Sequence, residues 1–129
     1  MEHLQDKLRS YCPLQPLTEE ENHFLFDTAD LMMQYPTIPC NDCKYCMPCP
    51  YGIDIPGLLL HYNKCVNEGN VPQSGQDENY REARRAYLIG YDRSVPKLRQ
   101  ADHCTSCNQC NHPCPQGIAF PNELQRNPR

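Results

Sequence analysis

The chain has 129 residues, a formal net charge of −4, ten cysteines, thirteen prolines and no tryptophan. Its length suits one small domain, and its Leu, Ile, Val and Phe residues are too sparse to stabilise such a domain by burial alone. The negative charge argues against a nucleic-acid binder, and no stretch approaches the roughly 18 apolar residues of a membrane span.

The first third of the chain predicts two helices. A short amphipathic helix or tail occupies residues 1–10. Thr18 and Glu21 form a capping-box pattern, an apolar helical period follows, and Pro36 stops it. We therefore predict a second helix over residues 19–35.

Further helices are predicted between and after two cysteine-rich segments. Asp54 can cap a helix that carries Pro56 in its first turn and is closed by Gly69. Another helix is predicted over residues 78–90, and no segment shows the alternating pattern of a strand. Shorter helical turns are expected at 94–101 and 121–126. The predicted fold class is therefore mainly α.

Two segments of the chain repeat one another. The first reads CNDCKYCMPCPYGIDIP over residues 40–56, and the second reads CTSCNQCNHPCPQGIAFP over residues 104–121. Both end in Cys-Pro-x-Gly-Ile-x-x-Pro. The spacing is C-x2-C-x2-C-x2-C-P in the first and C-x2-C-x2-C-x3-C-P in the second, so the second has one extra residue before its fourth cysteine.

The spacing of these eight cysteines predicts two iron–sulfur clusters of the 4Fe–4S type. Such a cluster has four iron corners that each bind a thiolate, and three cysteines at three-residue spacing can wrap three of them. In two-cluster ferredoxins the fourth cysteine of each run binds the other cluster. Applied here, this rule gives cluster I the ligands Cys40, Cys43, Cys46 and Cys114. It gives cluster II the ligands Cys104, Cys107, Cys110 and Cys49.

Matching glycines and isoleucines follow the two fourth cysteines, and we expect them to contact the clusters. Gly52 and Gly117 let the backbone turn sharply or approach a cluster closely. Ile53 and Ile118 can cover a cluster, keep water away and tune its reduction potential.

Zinc and disulfides are the competing uses of these cysteines. Two zinc ions could also occupy eight cysteines, but zinc sites have little need for four cysteines in tight succession, followed by proline, twice. Residues 1–17 lack the apolar core of a secretory signal, so we expect a cytoplasmic protein whose thiols stay reduced. We therefore favour iron–sulfur clusters.

Charge is distributed unevenly along the chain. Residues 1–35 contain seven acidic and two basic residues, whereas residues 81–99 contain six basic and two acidic ones. Two solvated helix faces would explain this pattern. A basic face that complements the negative charge of the clusters, or of a docking partner, would explain this charge distribution as well.

The chain also resembles known iron–sulfur proteins. The 54 residues between Cys49 and Cys104 include helical segments and look like an α-helical ferredoxin-like domain with two cysteine-rich cluster-binding loops. The run from Pro39 to Pro56 resembles the C-terminal ferredoxin-like domain of a bacterial branch of the aldo/keto reductase family. The opening segment MEHLQD (residues 1–6) and the stretch PLQPLTEEE (residues 13–21) resemble the junction that follows the reductase barrel in that branch.

The resemblance implies an electron-transfer domain of a larger oxidoreductase. Its partners would be an N-terminal TIM-barrel reductase domain of the same parent chain and an unknown redox partner, with no nucleic acid and no membrane. Residues 1–17 would be a linker or tail after the barrel, and residues 18–129 the two-cluster domain. No catalytic residue is expected, because the family's catalytic and nicotinamide-binding residues have no counterpart here. A cluster-stapled docking module without redox role and a free-standing ferredoxin are the alternatives.

Overall fold

The computed structural model describes residues 2–72 and 74–126, and within them the chain is helical with no strand. The mainly α fold class predicted from the sequence is therefore confirmed. The chain divides into two compact units, an N-terminal unit of residues 1–36 and a C-terminal unit of residues 37–129. No helix in the described part is both long and apolar enough to cross a membrane. Residue 1 of the predicted first helix and residues 127–129 of the predicted cluster domain lie outside the described residues.

The N-terminal unit contains two helices, α1 (Glu2–Tyr11) and α2 (Glu19–Met33). The predicted capping box begins α2. Thr18 Oγ1 accepts a hydrogen bond from the Glu21 amide at 3.2 Å, and the Glu21 carboxylate accepts one from the Thr18 amide at 2.9 Å. The Thr18 amide and the Thr18 hydroxyl, which donates to the same carboxylate at 3.0 Å, lower the pKa of Glu21. The helix ends two residues before the predicted position, because Pro36 disfavours a helical conformation in the residue before it.

The helix α2 buries none of its residues. Phe24, Phe26 and Leu31 are each more than two-thirds exposed. An exposed apolar surface of this kind is a common mark of an interaction site.

The C-terminal unit contains three helices, α3 (Ile55–Asn67), α4 (Tyr80–Ser94) and α5 (Phe120–Gln125). Asp54 caps α3 as predicted, since its side chain accepts a hydrogen bond from the Gly57 amide at 3.3 Å. Two short 3-10 turns, Lys97–Arg99 and Ala101–His103, lead from α4 to the second cysteine-rich segment.

The core of the C-terminal unit forms where α3 packs against α4 and where the ends of both cysteine repeats meet them. The fully buried side chains share an apolar or aromatic character and are Ile53, Ile55, Leu58, Leu59, Tyr87 and Val95. The second repeat adds Ile118 and Phe120, and α5 adds Leu124. The same core packs against six cysteines of the repeats, so folding holds the cysteine loops in place.

A buried histidine joins α3 to α4. His61 is 4% exposed, and its Nε2 donates a hydrogen bond to the Tyr87 carbonyl at 3.1 Å. Its ring meets those of Tyr87 and Tyr91 edge-on, with centroids 4.8 and 5.8 Å away. The Cys65 Sγ lies 3.5 Å from Nε2. Burial lowers the pKa of His61 and raises that of Cys65, so both side chains are neutral near pH 7.

Candidate metal centre

The two cysteine loops share an unusual backbone conformation. In each loop the residues on either side of the second cysteine have positive φ: Asp42 (55°) and Lys44 (63°) in the first, Ser106 (57°) and Asn108 (61°) in the second. Non-glycine residues rarely adopt this left-handed conformation, so its recurrence at four matching positions marks a shared local structure. Successive amides in such turns point into a concavity that favours anionic groups such as the sulfurs of a cluster.

The turns after the fourth cysteines also match. The Gly52 amide donates to the Cys49 carbonyl at 3.0 Å, and the Gly117 amide donates to the Cys114 carbonyl at 3.2 Å. Both glycines have positive φ, 73° and 64°. The repeat seen in the sequence is therefore a repeat of backbone geometry from the second cysteine to the turn.

No disulfide bond joins any of the ten cysteines. Cys43 and Cys107, the second cysteines of the two loops, are exposed. The other repeat cysteines are partly buried and are Cys40, Cys46, Cys49, Cys104, Cys110 and Cys114. Each loop thus presents one thiol at its tip and holds the rest nearer the core.

The structure brings cysteines of the two loops close to one another. Burial raises the pKa of Cys46 to about 11, and Cys40, Cys110 and Cys43 add to this rise. Burial likewise raises the pKa of Cys110, and the further contributors are Cys104, Cys107 and Cys49. Cys110 thus lies near two cysteines of its own loop and near Cys49 of the other loop. Metal binding would have to displace the protons of these thiols.

A cavity of about 130 Å³ lies between the loops. Its walls include Cys46 and Cys49 from the first repeat and Cys107 and Cys110 from the second. Cys114 does not line this cavity and packs against the core. The structure therefore brings Cys49 to the second loop, and the complete assignment of eight ligands to clusters I and II stays a prediction.

The residues predicted to cover the clusters occupy the core side of the loops. Ile53 and Ile118 are both buried, and both belong to the core that contacts the cysteines. They separate this side of the loops from water. Their contact with a cofactor, like that of Gly52 and Gly117, stays a prediction.

The donor set fits iron–sulfur chemistry. Thiolates are the ligands of 4Fe–4S clusters, and the two loops supply eight thiols with anion-binding backbone between them. Within residues 2–72 and 74–126, no three His, Cys, Asp or Glu side chains converge as ligands of a single metal ion would. A cluster spreads its four thiolates over four irons, so its ligands need not converge in this way.

A basic groove lies on α4, outside the cysteine loops. It has a volume of about 340 Å³ and is lined by Tyr80, Arg81, Arg84, Arg85, Leu88 and Ile89. The three arginines form no ion pair with another residue of the described chain. Three of the six basic residues in the segment 81–99 thus share one surface, and the role of that surface towards the clusters or a docking partner stays a prediction.

Sequence reasoning missed one polar residue of the second loop, Asn111. Its side chain bonds to Asn108 and to the Phe120 amide and lies 3.7 Å from the Cys110 Sγ. The second repeat has one more residue between its third and fourth cysteines than the first repeat has. This difference in length was the sequence signal that could have drawn attention to Asn111.

Comparison with protein families matches residues 39–119 to the family described as the 4Fe-4S dicluster domain. The matched range contains both cysteine loops, α3 and α4. No match was found among the curated proteins or the solved structures.

Proposed function

Because the chain belongs to the 4Fe–4S dicluster domain family and its cofactors are two 4Fe–4S clusters, we propose that it is the electron-transfer domain of a larger oxidoreductase. The observation that carries this proposal is the family match over both cysteine loops, which supports iron–sulfur clusters rather than zinc or disulfides as the use of their thiols. When bound, each 4Fe–4S cluster can take up or release one electron.

The chain's own residues would perform three tasks in this function. The thiols of the two loops bind iron, and the left-handed residues around Cys43 and Cys107 turn backbone amides towards the sulfurs. The core that includes Ile53 and Ile118 excludes water from one side. The exposed positions of Cys43 and Cys107 bring the loop tips to the surface, where a redox partner could approach.

The parent enzyme in this proposal belongs to the aldo/keto reductase family and acts in the cytoplasm. Support comes from the resemblance of MEHLQD, PLQPLTEEE and the run from Pro39 to Pro56 to the domain that follows a reductase barrel. A barrel of that family transfers a hydride, which carries two electrons, and two clusters could hold that pair. The exposed apolar residues of α2, such as Phe24 and Leu31, would suit packing against such a barrel.

Iron, sulfide and zinc analysis of anaerobically prepared protein tests the cofactors, and a redox titration followed by electron paramagnetic resonance tests the function. We expect a brown protein with about eight irons per chain and two reducible centres. Clusters that accept no electron at any accessible potential would refute the electron-transfer role.

A structural role for the clusters is the second candidate. It is favoured by the packing of six repeat cysteines against the core, which would make the clusters staples of the fold. The domain would then position the barrel or another partner. The same titration separates the two functions, because a staple needs no accessible reduced state. A reading frame upstream that encodes a barrel would support the parent enzyme, and its absence would favour a free-standing ferredoxin.

A further inference from the structure

Two of the differences between the cysteine repeats bear on the helices that follow them, and the structure connects these two. The second repeat has three residues between its third and fourth cysteines, Asn111 to Pro113, where the first has Met47 and Pro48. The second repeat also has Ala119 at the position that Asp54 occupies in the first. Both positions influence the helix that follows the repeat.

Asn111 takes over the capping role that Ala119 cannot perform. In the first repeat, Asp54 accepts a hydrogen bond from the first turn of α3, at the Gly57 amide. Ala119 stands before α5 and has no side-chain acceptor. Instead, Asn111 Oδ1 accepts a hydrogen bond from the Phe120 amide at 3.0 Å. Asn111 therefore satisfies the first amide of α5 from nine positions earlier in the chain.

The same side chain also braces the cysteine loop. Asn111 Nδ2 donates to Asn108 Oδ1 at 3.1 Å, and Asn108 Nδ2 donates to the Ser106 carbonyl at 3.0 Å. Ser106 and Asn108 are the left-handed residues on either side of Cys107. The Asn111 carbonyl accepts from the Cys114 amide at 3.2 Å. One asparagine thus links the loop tip, the fourth cysteine and α5.

The Cys110 thiol also donates a hydrogen bond to Asn111 Oδ1 at 3.7 Å, and iron bound to this sulfur would replace the thiol proton and leave the oxygen beside the sulfur. The oxygen is the negative end of the amide dipole, and the Phe120 amide holds it in place. A negative dipole end beside a ligand sulfur disfavours the addition of an electron, because hydrogen bonds and charges around the sulfurs set a cluster's potential. The first repeat has Met47 after its third cysteine, so this effect acts on one loop alone.

We propose that Asn111 is a positioning residue of the second cluster loop, which joins that loop to α5 and makes the cluster that binds Cys110 harder to reduce than it would otherwise be. The inference requires only that Cys110 binds a cluster, and it is independent of the parent enzyme and of the cross-wiring.

Three variants test this proposal in cluster-loaded protein under anaerobic conditions, with redox titration followed by electron paramagnetic resonance. In Asn111→Ala, we expect one of the two reduction steps to move to a less negative potential and the other to stay in place. In Asn111→Asp, which keeps the acceptor but adds negative charge, the same step should move to a more negative potential. If the alanine variant loses its clusters, the shift of the reduction step in Asn111→Asp alone tests the proposal.

The double variant Asn111→Ala, Ala119→Ser separates positioning from helix capping. It places a neutral side-chain cap before α5, at the position that Asp54 has in the first repeat. We expect it to recover the thermal midpoint lost in the single variant while the reduction step stays shifted. The proposal is overturned if Asn111 variants move neither step or both equally, or if Ala119→Ser, which adds no charge, restores the original potential.

Discussion

Gly90→Ala is expected to destabilise the protein even though alanine is the better helix former. Gly90 lies inside α4, where replacing glycine by alanine ordinarily stabilises by about 1 kcal/mol. A Cβ atom at this position would lie 2.7 Å from the His61 Cε1, far inside normal contact distance. The His61 ring cannot move away cheaply, because the Tyr87 carbonyl and two tyrosine rings hold it.

The balance of these two effects gives the sign and size of the change. Overpacking of a tight core costs about 1–3 kcal/mol, and the firmly held ring places this site in the upper part of that range. After the gain in helix propensity is subtracted, we expect Gly90→Ala to lower the free energy of unfolding by about 1–2 kcal/mol. Gly75→Ala is the matched control, since its Cβ would meet no atom within 4 Å. The free energy of unfolding of Gly75→Ala should stay within about 0.5 kcal/mol of that of the original protein.

The assay is anaerobic thermal unfolding at one fixed scan rate, followed by circular dichroism and by the loss of visible cluster absorbance. A loss of this size should lower the midpoint by about 5 °C or more. The cause is tested in a His61→Ala background, where the clash is absent and Gly90→Ala should stabilise by up to about 1 kcal/mol. The reasoning is refuted if Gly90→Ala destabilises both backgrounds equally.

Three other predictions follow from the described contacts. Burial lowers the pKa of His61 below its ordinary 6.5, so the unfolded chain binds a proton at this residue more readily than the folded protein does. The free energy of unfolding should therefore fall as the pH drops through about 6.5. His61→Gln should weaken that dependence in unfolding midpoints measured from pH 7.5 to 5.5. Thr18→Ala should destabilise α2 by about 1 kcal/mol, measured as faster exchange of its amide hydrogens, whereas Thr18→Ser should keep the cap. Equal exchange rates in the two variants would contradict the capping box. Cys49→Ala and Cys107→Ala should abolish the same reduction step, and Cys43→Ala should abolish the other one. If Cys49→Ala instead abolishes the step that Cys43→Ala abolishes, the cross-wiring is disproved.

Local signals in the sequence were enough to predict most helix boundaries and the presence of two cluster loops. Thr18 and Glu21 are three residues apart, as are Asp54 and Gly57, so both caps could be recognised without knowledge of the fold. The cysteine spacing is local in the same sense, because the predicted assignment takes three ligands of each cluster from a single tight turn. The family match over residues 39–119 agrees with this chemistry.

The end of α4 shows where local signals are insufficient. The predicted helix ends at residue 90, whereas the observed helix continues through Gly90 to Ser94. Tyr87, Tyr91 and Val95 are buried at helical spacing, and their burial outweighs the cost of the glycine. The glycine itself is required by the His61 ring, which comes from a different helix.

Sequence alone determined the cofactor type and the helical class of this protein, since both depend on residues close together in the chain. Tertiary structure alone decided that Cys43 and Cys107 are the exposed cysteines of the two repeats, and that Asn111 binds the first amide of α5. It also decided that His61 pairs with the Tyr87 carbonyl, 26 residues away. Such partners are chosen by the packing of whole elements, and their energies appear only when folding has removed water and brought distant residues together.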